Sequence, residues 1–143
     1  MINFITGIES TSAALQAERV RMAVSSQNIA NANTTKGVDG LPYQRQSVVF
    51  ESVLANEELG LGGISPQKVQ ISRIEKDQNG PRLVYNPGHP DADTATGMVA
   101  MPNVNIHEEM AAMIVASRAY EANLAVVRNA RAMAVQTLQI GKA

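Results

Sequence analysis

His107-Glu108-Glu109-Met110-Ala111 opens like the helix of a zinc protease. In such a helix two histidines one turn apart hold the metal, and the glutamate between them acts as general base. Here the position one turn after His107 is Ala111, so the ligand set is incomplete and His107 reads as a polar first-turn residue. His89, Asp91 and Asp93 place one imidazole and two carboxylates close together in sequence. They would hold a cation only if both carboxylates converged in their loop, and no further ligand lies nearby, so a solvated turn is the better reading. Gly60-Leu61-Gly62-Gly63 lacks the Lys-Ser/Thr ending of a phosphate loop, and no serine stands in a Gly-x-Ser-x-Gly context. With no cysteine and two histidines, nucleophilic catalysis has few candidate members. Arg19, Arg21, Arg128 and Arg131 have the reach for a phosphate, but helix-surface arginines more commonly pair with glutamates. The sequence therefore predicts no enzyme, no cofactor and no metal site.

Positioning elements must then explain the chain. It has 143 residues, formal charge −1 and an isoelectric point near 6.1. That balance gives no electrostatic attraction to nucleic acid or anionic lipid. The absence of cysteine excludes disulfides and leaves the compartment open. Apolar runs are only a few residues long, so no bilayer span is expected. Met1-Ile2-Asn3-Phe4-Ile5 lacks a basic leader and Glu9 follows early, so a cleaved secretory signal is not expected either. Apolar residues make up 45 %, but 20 of them are alanine and only five are aromatic. Alanine buries little area yet favours helix and close helix approach.

These features predict an α+β chain. Two long terminal helices form a coiled-coil-like pair, with a small loop-rich β segment between them. Residues 1–33 supply the first helix of a core domain, 34–102 a middle domain, and 103–143 the second helix. The first helix covers 3–31, closed by Asn28, Asn31 and Asn33 ahead of Gly37, since asparagine and glycine tolerate the left-handed conformation that ends helices. Strands are expected over 43–50, 67–76, 82–85 and 98–101, with Gly60–Gly63 a flexible break. Asp77-Gln78-Asn79-Gly80-Pro81 is a turn from which 82–85 would return as a strand. The last helix covers 107–139, free of glycine and proline, with Asn105 as N-cap and Glu108 three residues on. It would be roughly 50 Å long.

Helix faces carry the functional information. In the first helix Ile8, Leu15, Met22 and Ile29 recur every seven residues, with Phe4, Thr11 and Ser25 on the same stripe and Glu18 interrupting it. In the last helix Ile106, Met113, Tyr120, Val127 and Ala134 do the same, with Met110, Ser117, Leu124 and Leu138 between them and Arg131 the exception. This 3.5-residue period suits a long partner helix. Ala112, Val115, Ala119, Ala122, Val126, Ala130 and Met133 form a second row on roughly the opposite side. A helix with two apolar sides needs two sets of neighbours, and the first helix covers one. The alternative is a simple hairpin whose alanine side faces water.

Ser25-Ser26-Gln27-Asn28-Ile29-Ala30-Asn31-Ala32-Asn33-Thr34-Thr35 resembles the N-terminal signature of bacterial flagellar rod and hook proteins. Pro102-Asn103-Val104-Asn105, Glu109-Met110 and the run from Ala116 through Ser117, Arg118, Tyr120 and Glu121 to Asn123 resemble the C-terminal signature of the proximal rod subunits. Asp39-Gly40-Leu41-Pro42-Tyr43 before Arg45, and Val84 to Asp93, point the same way. Lys36-Gly37-Val38, Gln44 and His107 depart from the pattern or lie on variable ground. The resemblance implies a structural subunit of the flagellar basal-body rod. Its terminal helices would line a hollow, torque-transmitting shaft across the periplasm, with the middle segment outside. It further implies export by the flagellar type III apparatus without a cleaved signal. Implied partners are copies of itself, other rod subunits and the adaptor joining rod to membrane ring.

Overall fold

The computed structural model describes residues 2–54 and 67–141, with side chains from 7 to 53 and from 68 to 141. The elements run α1 (Ile2–Ala30), β1 (Gln46–Leu54), β2 (Gln67–Lys76), β3 (Arg82–Tyr85), β4 (Met98–Met101) and α2 (Ile106–Ile140). This is the expected α+β order of two terminal helices around short antiparallel strands. The Gly60–Gly63 segment and the Phe4 side chain lie outside the described residues.

α1 does not close on a left-handed asparagine: no non-glycine residue described has positive φ. Instead the Asn31 amide donates to the Gln27 carbonyl (3.1 Å) and the Ala32 amide to Ile29 (3.2 Å), tightening the last turn. The start of α2 follows the sequence. Asn105 accepts from the His107 amide and donates from Nδ2 to Glu108 (2.8 Å), while Glu108 and Glu109 place negative charge in the first turn.

β1 and β2 form one antiparallel ribbon, Gln46 opposite Lys76 and Leu54 opposite Gln67. A bulge between Val49 and Phe50 leaves Ser72 opposite no residue and shifts the register. The turn at 77–81 does not fold β3 back onto β2 as the sequence suggested. β3 pairs with β4 in a separate two-stranded sheet, Arg82 opposite Met101 and Tyr85 opposite Met98. The reason is local. Asp77 continues the first ribbon by donating to Arg45 (2.7 Å), its carboxylate caps the Asn79 amide (3.0 Å), and Pro81 offers no N–H for a further rung.

α1 packs on α2 and also on the β1–β2 ribbon, while α2 packs on no other described helix or strand. α1 and α2 run antiparallel, because residues at the end of α1 and the start of α2 share one cleft. The buried apolar set is Ala13, Ala17, Val24, Ala32, Val99 and Ala116, joined by Ser25, Asn28 and Glu109. Methyl-sized side chains dominate that core, and each contributes only on the order of 1 kcal/mol by burial. The chain's surface is 10603 Å², against roughly 7,100 Å² expected of a compact monomer of this mass.

α2 also corrects an expectation. Over eighteen residues its mean hydropathy reaches 1.2, so by length and composition it is apolar enough to cross a bilayer. Short apolar runs hid this, because alanine and valine on every side of the helix add up where no single run is long.

One glycine fixes the loop between β3 and β4. Gly97 has φ +68°, and a Cβ there would stand 2.9 Å from the Tyr85 ring. Gly97→Ala should destabilise the hairpin by more than about 1 kcal/mol, seen as lost hydrogen-exchange protection at Asn86 and Met98. Unchanged protection at both amides would refute this.

Candidate functional site

Two features of the described chain stand out: a buried polar junction at the root of the helix pair, and an open flank on α2.

The junction centres on Asn28, which is fully buried at the end of α1. Its Nδ2 donates to the Gln46 carbonyl (2.8 Å), and its Oδ1 accepts from the Gln46 amide (2.9 Å) and from the Tyr43 hydroxyl (2.9 Å). The side-chain amide thus stands in for a neighbouring peptide and docks the first residue of β1 onto α1. One residue earlier, Arg45 donates from Nε to Glu109 Oε1 at 2.6 Å, and its backbone amide donates to Asn103 Oδ1 at 2.9 Å. Asn103 then reaches Asn79 through Nδ2 (3.3 Å). Glu109 is 1 % exposed, so its charge is neutralised by a short ion pair in a desolvated site. Burial, and secondarily the Glu109 carboxylate, raise the Tyr43 hydroxyl above its ordinary value of 10.0, which keeps it a donor toward Asn28.

A second tie holds the loop after α1 to the loop after β3. Lys36 meets Asp91 at 2.6 Å and Thr35 donates to Asp91 at 2.7 Å, which together lower the Asp91 carboxyl below its ordinary range. Asp93 is held by the Ala95 amide and the Thr96 hydroxyl. His89 Nδ1 accepts from the Asp91 amide. Each member of the possible metal set therefore has its own partner, and no cluster able to hold a metal occurs among the described residues.

Most of the signature positions meet at this junction. Asn28, Tyr43, Arg45, Asn103 and Glu109 form it, with Pro102 buried beside them. Asn31 braces the turn after α1 through Gln27 and Thr34, and Asn105 caps α2. Ser117 and Asn123 lie partly covered along the seam, while Ala30, Asn33, Arg118 and Glu121 are exposed.

Along the helices, Ile8, Leu15, Met22 and Ile29 are half-buried on α1, as are Met113, Tyr120, Leu124 and Val127 on α2. The row completing the α2 seam differs from the expected one. Glu109, Ala116, Asn123 and Ala130 turn inward, whereas Met110 (51 %) and Leu138 (69 %) are exposed. Two polar residues in that row disguised it. α1 carries a second covered stripe, Ala13 and Ala17, which lines a cleft with Lys68 to Ile71 of β2. Arg21 lies over the Phe50 ring (5.2 Å). On the other flank of α2, Ala112 and Ala119 are partly covered, but Ala122, Val115 (59 %), Val126 (54 %) and Met133 (57 %) stand open.

Comparison with known proteins bears on what such an open flank is for. Residues 8–37 match the family described as flagella basal body rod protein, and 95–140 match the C-terminal family of flagellar basal body rod FlgEFG proteins. The chain is 38 % identical to the flagellar basal-body rod protein FlgC of Borreliella burgdorferi, covering 97 % of this chain and 98 % of that one. It is 41 % identical to FlgC of Yersinia enterocolitica (90 % and 91 % covered) and 37 % identical to FlgC of Bacillus subtilis (92 % and 94 %). The chain belongs to the FlgC family of flagellar basal-body rod proteins. Membership makes it a structural subunit of the flagellar basal body, one that assembles with other rod components. The FlgC relatives carry structural names, and the polar junction is correspondingly a scaffold that sets the middle segment on the helix pair.

Removing one partner of the buried pair strands the other. Glu109→Ala should cost about 3 kcal/mol in thermal or denaturant unfolding, and Glu109→Gln less, because the amide still accepts from Arg45. Equal losses in the two variants would argue against a buried ion pair. Tyr43 has a raised folded-state pKa, so its contribution is complete below 10.0 and is lost as pH climbs through the higher folded value. A melting curve measured against pH should therefore fall in that alkaline window, and less steeply in Tyr43→Phe.

Proposed function

We propose that this rod subunit is held in its shaft by α2, whose seam side binds α1 and whose other flank binds neighbouring subunits. Ala122, Val115, Val126 and Met133 form the intersubunit face, and the half-buried rows of α1 and α2 the intramolecular one. The observation that carries the reading is the row of large apolar side chains standing open opposite a seam filled by α1. Apolar surface on both sides of one helix is stable in water only when a second neighbour covers it.

In this reading residues 1–33 and 103–143 form a core domain at the inner wall of a hollow shaft, and 34–102 an outer domain set by the junction. Contacts are head-to-tail along a helical lattice, so they extend rather than close. Torque passes through packing across the periplasm, and the chain performs no catalysis. Partners are copies of itself, other rod subunits, the adaptor joining rod to ring, and the type III export apparatus, which passes the chain unfolded with no cleaved signal. The junction orders the root of the helix pair in the free subunit. The alanine-lined distal halves gain order on docking, because their seam alone buries too little.

A bilayer would also cover α2, as its hydropathy allows. Against that stand Glu109, Arg118, Glu121, Arg128 and Arg131 spaced through the helix.

Ala122→Glu and Val126→Glu should abolish swimming while the chain is still made at its normal level. Swimming preserved in both would remove the open flank as an interface. Circular dichroism of the purified subunit should show less helix than α1 and α2 together account for. A fully helical monomer with one cooperative melt would contradict ordering on assembly.

A further inference from the structure

The two ends of α2 are complementary. At its start an open groove of about 580 Å³ is lined by Pro102, Val104 and Ile106, with Arg82 and His107 on its wall. Nearby Glu108 is engaged by Asn105, and Glu109 by Arg45, so neither carboxylate is aimed into the groove as a free charge. At the far end Leu138 (69 %) and Ile140 (78 %) are exposed together with Val135 (47 %). Leu138 follows the seam row, yet α1 does not cover it. The last turn carries no basic residue to balance its carbonyls. A helix C-terminus leaves up to four carbonyls without intrahelical partners and bears partial negative charge. An apolar tip with a negative end therefore matches an apolar groove with a cationic wall.

We infer that the groove at the start of α2 is the seat for the last turn of the corresponding helix of another rod subunit. The inference rests on the reading above that α2 is an assembly helix, and it adds an end-to-end contact to the lateral one. Ile140 and Leu138 of the incoming helix fill the space between Val104 and Ile106, and its terminal carbonyls face Arg82 and His107. Seat and tip lie at opposite ends of a helix of roughly 50 Å, so one molecule cannot satisfy both and the contact propagates along the helix direction.

The test uses the full chain in swimming cells, carrying photoreactive benzoylphenylalanine at Ile106, and in a parallel strain at Val126. Basal bodies are isolated after irradiation and the cross-linked peptides sequenced. The expected product at 106 joins this chain to the final turns of a rod subunit's C-terminal helix, whether that subunit is another copy or a relative. The reciprocal probe at Leu138 should attach to the segment just before such a helix. Attachment at 106 to a ring protein, or to the middle of a helix, overturns the inference. So does absence of product at 106 while 126 cross-links, and that outcome leaves the lateral reading standing. No product at either position overturns both. If the probe at Ile106 stops swimming, Val104 takes its place under the same criteria.

Discussion

A single buried carboxylate organises the molecule. Glu109 sits in the first turn of α2 with almost no exposure, and its charge is tolerable there only because Arg45 meets it. Arg45 is one residue short of β1, and the next residue is clasped by Asn28 at the end of α1. Three segments far apart in sequence are thereby pinned within a few hydrogen bonds of each other. The ribbon's direction, the place of the turn at 77–81 and the antiparallel fit of the helices all follow from that point. Hydrophobic burial does not set them, since most of the apolar core is alanine.

The division of labour between the helices follows from size. α1 is covered on two sides, by α2 and by the ribbon, and the small residues Ala13 and Ala17 let the strands approach. α2 is covered on one. Its larger side chains, Val115, Val126 and Met133, are the ones left open, the reverse of what a self-sufficient fold would arrange. Within a basal-body rod that imbalance is a resource, because surface without an intramolecular partner is surface available to a neighbour.

Much of this architecture is written in the amino-acid order. Both helices, the 67–76, 82–85 and 98–101 strands and the Asn105 cap follow from periodicity and turn chemistry. The first strand starts three residues later than its composition suggested, because Tyr43 to Arg45 serve the junction instead of a ladder. The seam phase was obscured by Glu109 and Asn123, which an apolar pattern excludes although a buried ion pair admits the first. The split into two ribbons could not be read, since any extended segment after a turn fits a hairpin until the partner edge is known to be occupied. Asn28 was legible as a signature residue but not as a surrogate peptide, because that role exists only once Gln46 is brought against it.

The pairing of the first helix with the last sets an order of events. Some 75 residues separate the end of α1 from the start of α2, and the loop between them must close before either helix gains its principal neighbour. A ribosome delivers α1 first and α2 last, so α1 spends the whole of translation without its mate. Maturation is thus timed by completion of the polypeptide, and a prematurely terminated chain would hold one orphaned helix and a ribbon with nothing to complete them.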